Sequence, residues 1–223
     1  MIINNLFRLF FPKYCAACFK PITGLKDELC VRCENNLIYD PTPSQKELKK
    51  ALRGRVNIEQ SGYLFDFTKK DDVQDILHSI KYQKQKKLAV YLAEKLAVKL
   101  GPTFFKKIDG ILPVPLHQRK LKMRGFNQSE SIARGIKNIT SIPVKNGYLL
   151  RKKFTESQTN KNRWERWENV KHAFELMNQE AWNSKHILLV DDVFTTGATL
   201  EACVKTIQEK VSCKCSILTL AKA

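Results

Sequence analysis

The stretch Ile187–Thr199, ILLVDDVFTTGAT, decides the fold. Four apolar residues in an unbroken run read as a strand buried on both faces. Asp191 and Asp192 follow at its C-terminal end, where open α/β sheets bind ligands. Phe194–Thr199 then turns the chain into a helix expected over Ala198–Glu209. A glycine-containing turn at a helix N-terminus aims several backbone N–H groups at one point, and the helix dipole favours an anion there. The hydroxyls of Thr195, Thr196 and Thr199 add donors, and Gly197 permits positive φ and close approach of a ligand. This is a cup for a phosphate monoester. The two acids cannot bind the phosphate. They suit sugar hydroxyls and Mg2+, which takes oxygen ligands and keeps waters. The expected ligand is therefore a phosphorylated ribose with a metal beside it.

Outward from this stretch, strands and helices alternate. SGYLFDF (Ser61–Phe67) alternates like a strand, and KDDVQDILHSIKY reads as a helix starting near Asp71 or Asp72. Lys87–Leu100 carries leucines at 88, 92, 96 and 100, one helical face, and Gly101-Pro102 ends it. Ile108–Pro115 reads as a short buried strand, followed by a basic loop and a helix from about Asn127 to Lys137. Ile142–Tyr148 is a further strand candidate, and CSILTLA is the last strand. The alternation predicts an α/β fold, a doubly wound and mostly parallel sheet. The Pro-containing break Asp40–Gln45 marks a boundary between residues 1–44 and the α/β domain at 45–223.

Residues 1–44 hold two Cys-x2-Cys pairs, Cys15/Cys18 and Cys30/Cys33. Each pair offers two thiolates from a tight turn, and four soft thiolates in a tetrahedron suit Zn2+. With all four ligands from protein, the site is expected to be structural, supplying stability that so small a segment cannot obtain from burial. A redox dithiol pair and an iron–sulfur cluster are the rival readings. Cys203, Cys213 and Cys215 read as small buried hydrophobes. The apolar run at residues 2–11 reads as a helix packing on the rest of the protein, with a membrane-surface contact as the other reading.

The chain has 223 residues with 39 Lys+Arg against 22 Asp+Glu, a net charge of +17 and a pI near 9.6. Such a balance favours an anionic partner, whether nucleic acid, phosphorylated metabolite or membrane surface. No run approaches the ~18 apolar residues of a spanning helix, and the N-terminus lacks the pattern of a secretory signal. The cysteine usage fits a reducing cytoplasm.

ILLVDDVFTTGAT resembles the phosphoribosyl diphosphate (PRPP) motif of type I phosphoribosyltransferases. The resemblance implies that Phe194, Thr195, Thr196, Gly197, Ala198 and Thr199 bind the ribose 5-phosphate and that Asp191 and Asp192 contact the ribose hydroxyls, with Mg2+ accompanying PRPP. Nearly the whole chain is similar to a narrower group, the ComF/GntX family of competence-associated, phosphoribosyltransferase-like proteins. The four-Cys module, HSIKY (78–82), PVPLHQRKLKMRGFNQS (113–129), LLRKKFTESQ (149–158) and RWENVKHAF (166–174) occur in the expected order. The implied fold is a type I phosphoribosyltransferase-like domain with a small N-terminal zinc module. Where type I transferases carry a small-residue diphosphate loop, this chain has a long basic segment. Arg119, Lys120, Arg124, Gly125, Phe126, Asn127 and Gln128 are its candidate diphosphate residues, with guanidinium and ammonium groups supplementing backbone donors. Lys81 is a possible phosphate contact, and His117 reads as a hydrogen-bonding loop residue rather than a general base.

Residues 151–167 interleave Arg151, Lys152, Lys153, Arg163 and Arg166 with Trp164 and Trp167. Three readings fit: a single-stranded DNA contact, with charge for phosphates and rings for bases; a lid over PRPP; or an amphipathic helix with its rings on the core. The family resemblance implies a cytoplasmic protein that binds PRPP and handles single-stranded DNA during natural transformation. DNA-uptake or helicase-type competence proteins are implied as partners. The alternative is an active Mg2+-dependent phosphoribosyltransferase that releases diphosphate from PRPP.

Overall fold

A computed structural model describes residues 13–22, 28–37, 47–66, 71–152 and 173–223. The apolar stretch at 2–11, the boundary at Asp40–Gln45, and Lys153, Arg163, Trp164, Arg166 and Trp167 lie outside them.

The chain opens with β1 (Lys13–Tyr14) paired antiparallel to β2 (Pro21–Ile22), then α1 (Val31–Asn36). α2 (Glu47–Leu52) leads to β3 (Ser61–Asp66), α3 (Asp71–Tyr82) and α4 (Lys86–Phe105). Gly101 interrupts α4 with non-helical backbone just before Pro102, so the continuous helix ends where the Gly-Pro pair predicts. β4 (Gly110–Pro113), α5 (Gln118–Arg124) and α6 (Gln128–Thr140) follow. An antiparallel ribbon of β5 (Leu149–Arg151) and β6 (Phe174–Leu176) precedes β7 (His186–Phe194), α7 (Ala198–Gln208) and β8 (Lys214–Lys222).

The central sheet has the order β3-β8-β7-β4, all parallel. The period of two sorts β7 between two cores. Leu188 and Val190 join the side chains of α4 and α6, whereas Ile187 and Leu189 join those of α2 and α7. Helices thus cover both faces, the doubly wound arrangement expected. α4 and α6 approach so closely that a Cβ on Gly135 would overlap the Val90 carbonyl.

Three expectations are corrected. The basic segment after β4 is not a loop throughout. His117 N-caps α5, its Nδ1 accepting the Arg119 amide at 3.2 Å, and Gly125 ends the helix in the left-handed region. Residues 142–148 form no full strand; only Val144 bridges Ile111, because Pro143 has no N–H to give to a ladder. Strand β7 runs through the acid pair to Phe194, because β8 continues beside it, pairing Phe194 with Lys222.

The four-Cys module docks on α4. Cys15, Ala16, Leu29 and Leu37 are buried with the α4 side chains. Glu34 of α1 accepts the Tyr91 hydroxyl at 3.0 Å and pairs with Lys95.

Candidate functional site

β4 reaches only to Pro113, opposite Val190. The last four residues of β7, Asp191–Phe194, therefore extend beyond β4, and the space they leave on that edge is where a ligand of an open sheet sits. Ser129, in the first turn of α6, donates its hydroxyl to Asp191 Oδ1 at 3.0 Å, and the Asp192 amide donates to the same oxygen at 2.9 Å. Lys81, in the last turn of α3, pairs with Asp192 Oδ2 at 3.2 Å. Among the described residues the second oxygen of each carboxylate carries no hydrogen bond or ion pair. Burial, and then the neighbouring Asp192 carboxylate, push the Asp191 carboxyl up to about 7, against the pull of the Asp192 amide, Ser129 and Lys81. Two crowded carboxylates with free oxygens are a donor set that fits a hard cation such as Mg2+.

Cations gather around this pair. Burial holds the Lys120 ammonium below its ordinary value, helped by Arg151, Arg124 and Lys81 and opposed by Asp192. Burial also lowers Arg151, which is offset by Cys203 and Asp191. Arg124 lies over the Tyr82 ring at 5.4 Å, joining α5 to the end of α3. Arg124 Nε and Gln128 Nε2 are buried donors without a partner among the described residues, and Gln128 is only 1% exposed. Buried donors left unpaired are costly, and these two lie in the segment assigned to diphosphate from the sequence.

Other residues of that segment are engaged within the protein. Asn127 uses both ends of its amide internally: Nδ2 donates to the Val114 carbonyl at 3.1 Å and Oδ1 accepts the Ser129 amide at 3.1 Å, capping α6. Phe126 is buried, with Lys86 over its ring at 5.2 Å. Arg119 is exposed, and Gly125 serves as the α5 cap. Arg151 and Lys152, read as nucleic-acid or lid residues, sit at the end of the β5–β6 ribbon. Arg151 is half-buried toward the acid pair, with its guanidinium over the Phe174 ring at 5.3 Å, and exposed Lys152 pairs with Glu175 at 2.7 Å.

Residues 195–197 form the turn after β7. Gly197 has φ 76° and immediately precedes α7. A Cβ there would come within 2.7 Å of the Phe194 ring, so glycine is required by both backbone and packing. Phe194 is therefore buried beneath the turn. Thr195 is exposed; Thr196 Oγ1 accepts the Ala198 amide at 3.4 Å, and Thr199 is half-buried.

What braces the turn lies far from it in sequence. Glu201, in the first turn of α7, is buried between Arg55 at 2.7 Å and Lys205 at 2.9 Å. Arg55 also reaches the Thr196 carbonyl at 3.5 Å and the Ala51 carbonyl. The Glu201–Lys205 spacing of four is legible in a helix; Arg55, 146 positions from Glu201, gives no local signal. Ser129 likewise gives none as the partner of Asp191.

The Sγ atoms of Cys15, Cys18, Cys30 and Cys33 all lie within 4.8 Å of one another, and the cluster could hold a zinc ion. Tetrahedral Zn–S bonds of ~2.3 Å need sulfurs roughly 3.8 Å apart, and Cys18 and Cys30 are already at 3.7 Å. The Cys30 amide donates to Cys15 Sγ at 3.3 Å and the Cys33 amide to Cys30 Sγ at 3.4 Å. The Cys33 amide is the main influence holding the Cys30 thiol down to about 7, while desolvation raises Cys18 and Cys33. Of the other cysteines, Cys203 and Cys215 are fully buried as expected, and Cys213 is half-buried. No helix among the described residues is long and apolar enough to cross a membrane.

No family model matches the chain. Among curated proteins it is similar to Competence protein F of Haemophilus influenzae, 32% identical over 102 residues, an alignment covering 45% of this chain and 44% of that protein. The chain thus spans less than half the length of that relative. It is similar to DNA utilization protein YhgH of Escherichia coli, 25% identical over 190 residues, 83% of this chain and 80% of the relative. Competence protein ComFC of Bacillus subtilis is 24% identical over 201 residues, 89% of this chain and 79% of the relative. Among solved structures it is similar to Leishmania donovani UMP synthase (17% identity, TM-score 0.39, 81% of this chain and 32% of that one). Adenine phosphoribosyltransferase from Leishmania tarentolae gives 12% identity and a TM-score of 0.36, over 66% of this chain and 74% of that one. The curated matches, two of which span about four fifths of both chains, support the resemblance to the ComF family.

Proposed function

We propose that this chain is a PRPP-binding protein of DNA utilization and natural transformation, which handles single-stranded DNA in the cytoplasm. The observation that carries the PRPP reading is the convergence of Asp191 and Asp192 with Lys81, Lys120 and Arg124 beside the Gly197 turn. The turn and the threonine hydroxyls would take the 5-phosphate. The acid pair would take ribose hydroxyls and hold Mg2+, which would neutralise diphosphate charge when bound. Lys120, Arg124 and Gln128 would face the diphosphate, and Lys81, now paired with Asp192, would be shared between that acid and a phosphate oxygen. The DNA-handling role is supported by the names of the relatives and by the charge of +17. Zn2+ held by Cys15, Cys18, Cys30 and Cys33 would be structural.

Isothermal titration with PRPP, with and without Mg2+, tests the reading. Binding that is lost in Asp191→Ala/Asp192→Ala supports it, and equal binding in the double variant sinks it. Oligothymidylate affinity across a salt series tests the DNA role, with a steep fall expected.

Turnover is the second reading, favoured by the unpartnered buried donors of Arg124 and Gln128. Preorganised donors of this kind stabilise charge on a departing diphosphate. An acceptor would form a bond to the anomeric carbon as the bond to diphosphate breaks, with the acceptor's proton released. Diphosphate release measured over a panel of acceptors separates binding from transfer.

A further inference from the structure

Around Arg55 lies an open cleft of about 850 Å³, lined by Lys49, Lys50, Arg53, Arg55, Val56 and Gln208. Among the described residues, four that line it are cationic and none is acidic. Lys50 and Arg53 have no carboxylate partner among the described residues, and Lys49 donates to the Glu59 carbonyl at 3.1 Å rather than to an acid. The negative end of α2 opens on the same side, yet its carbonyls are used. The Arg53 amide takes Lys50 O at 3.2 Å, the Arg55 amide takes Leu52 O at 3.0 Å, and the Arg55 guanidinium takes Ala51 O. The charge presented to the cleft is therefore that of the side chains. Arg55 is offset by Glu201, but Lys49, Lys50 and Arg53 have no carboxylate beside them among the described residues; these like charges repel one another, and concave walls focus their field. An anion would relieve that repulsion.

We infer that this cleft is a second phosphate-binding site, separate from the Thr195–Thr199 cup, that takes nucleotide phosphates, either of a free nucleotide or of a single strand. Its volume is far beyond one phosphate and falls within the range of nucleotide-sized sites. Half-buried Val56 gives apolar surface for a sugar or base face, and among the described residues no aromatic ring lines the cleft. Recognition would thus rest on phosphates and tolerate any base. Arg55 belongs to both sites, since the same guanidinium that lines the cleft holds Glu201 and contacts the Thr196 carbonyl. The inference rests on the proposed DNA role only for its choice of probes.

The test uses a fluorescein-labelled oligothymidylate of about 20 nucleotides and free thymidine triphosphate. The proteins are the full chain, Lys50→Glu/Arg53→Glu, and a charge-matched control, Lys106→Glu/Lys137→Glu, reversed at exposed positions elsewhere. Loss of about tenfold or more for at least one probe in the cleft variant, with its log–log salt slope reduced by roughly 1.4 for two lost single-strand contacts, upholds the site. The probe that is lost names the source of the phosphate. Equal losses in variant and control, no loss in either, or no binding of either probe to the unaltered protein overturns it. PRPP titration of the same proteins reports separately on the cup. Retained PRPP binding in the cleft variant shows that its fold survives and that failure of the cleft is not failure of the PRPP reading.

Discussion

Ser129 Oγ donates to Asp191 Oδ1 at 3.0 Å, joining the first turn of α6 to the end of β7 across 62 positions of sequence. The bond favours the ionised carboxylate, whereas burial and Asp192 oppose it, and the balance leaves Asp191 titrating at about 7.

A pH dependence follows. Between the ordinary carboxylate range and about 7, the folded protein keeps a proton on Asp191 that the unfolded chain has released. Its contribution to stability is therefore greatest in acid, is lost as pH rises through that window and levels off above it. In metal-free buffer, Asp191→Asn should flatten this fall. Thermal melts at pH 5 and pH 8 should show the variant gaining relative to the parent at pH 8. Ser129→Ala should push the titration further alkaline, read as a shift in the pH profile of Mg2+-dependent PRPP affinity.

Gly197→Ala should damage the cup directly. The residue has φ 76° and a Cβ would press on the Phe194 ring at 2.7 Å. The expected cost is about 1–3 kcal/mol from backbone strain and overpacking, seen as a lowered Tm and lost PRPP binding. An unchanged Tm with full affinity would contradict this account of the turn.

Arg55→Ala should take one cation from buried Glu201, which keeps its pair with Lys205, and remove the contact to the Thr196 carbonyl. Because Arg55 is partly solvated, a loss of about 1–3 kcal/mol is expected, below the full penalty of a stranded buried charge. Adding Glu201→Gln should recover part of it. A double-mutant cycle by chemical denaturation measures the coupling, and additive losses would argue against the pair.

If the four thiols hold zinc, disrupting them should loosen more than the cysteine module. Cys15, Ala16, Leu29 and Leu37 share a core with α4, and Glu34 reaches Tyr91 and Lys95. Cys15→Ser should abolish bound zinc, about one equivalent per chain by elemental analysis, and expose α4 amides in the Tyr91–Lys95 turns to hydrogen exchange. Exchange confined to residues 13–37 would show that the module is energetically separate.

Gly135→Val should separate α4 from α6, since even a Cβ would overlap the Val90 carbonyl. A loss of about 1–3 kcal/mol is expected from overpacking, or a fall in Tm of roughly 2–4 °C per kcal/mol in a chain of this size.

Patterns carried within a few residues were legible in the chain itself. The apolar run before Asp191, the glycine turn after Asp192, the helical leucine face of α4 and the two Cys-x2-Cys pairs each depend on spacings of one strand or one helical turn. Such spacings place side chains together whatever the rest of the molecule does. The segment after β4 was harder. Its basic residues dominate composition, and a seven-residue helix with exposed Leu121 and Met123 leaves little periodic signal. Asn127 shows the same limit: its type fits a ligand contact as well as a cap, and only its two internal bonds distinguish them.

Local spacing alone thus encodes a buried strand ending in an acid pair and a glycine turn, a parallel α/β domain and a four-thiol cluster. Only the tertiary structure decided that Ser129 and Lys81 close on the acid pair, that Arg55 braces the cup from α2's side, and that Glu34 fastens the cysteine module to α4. The reason is physical. Contacts between residues many tens of positions apart are set by strand order and helix packing, and no local periodicity encodes which distant charges those two will bring together.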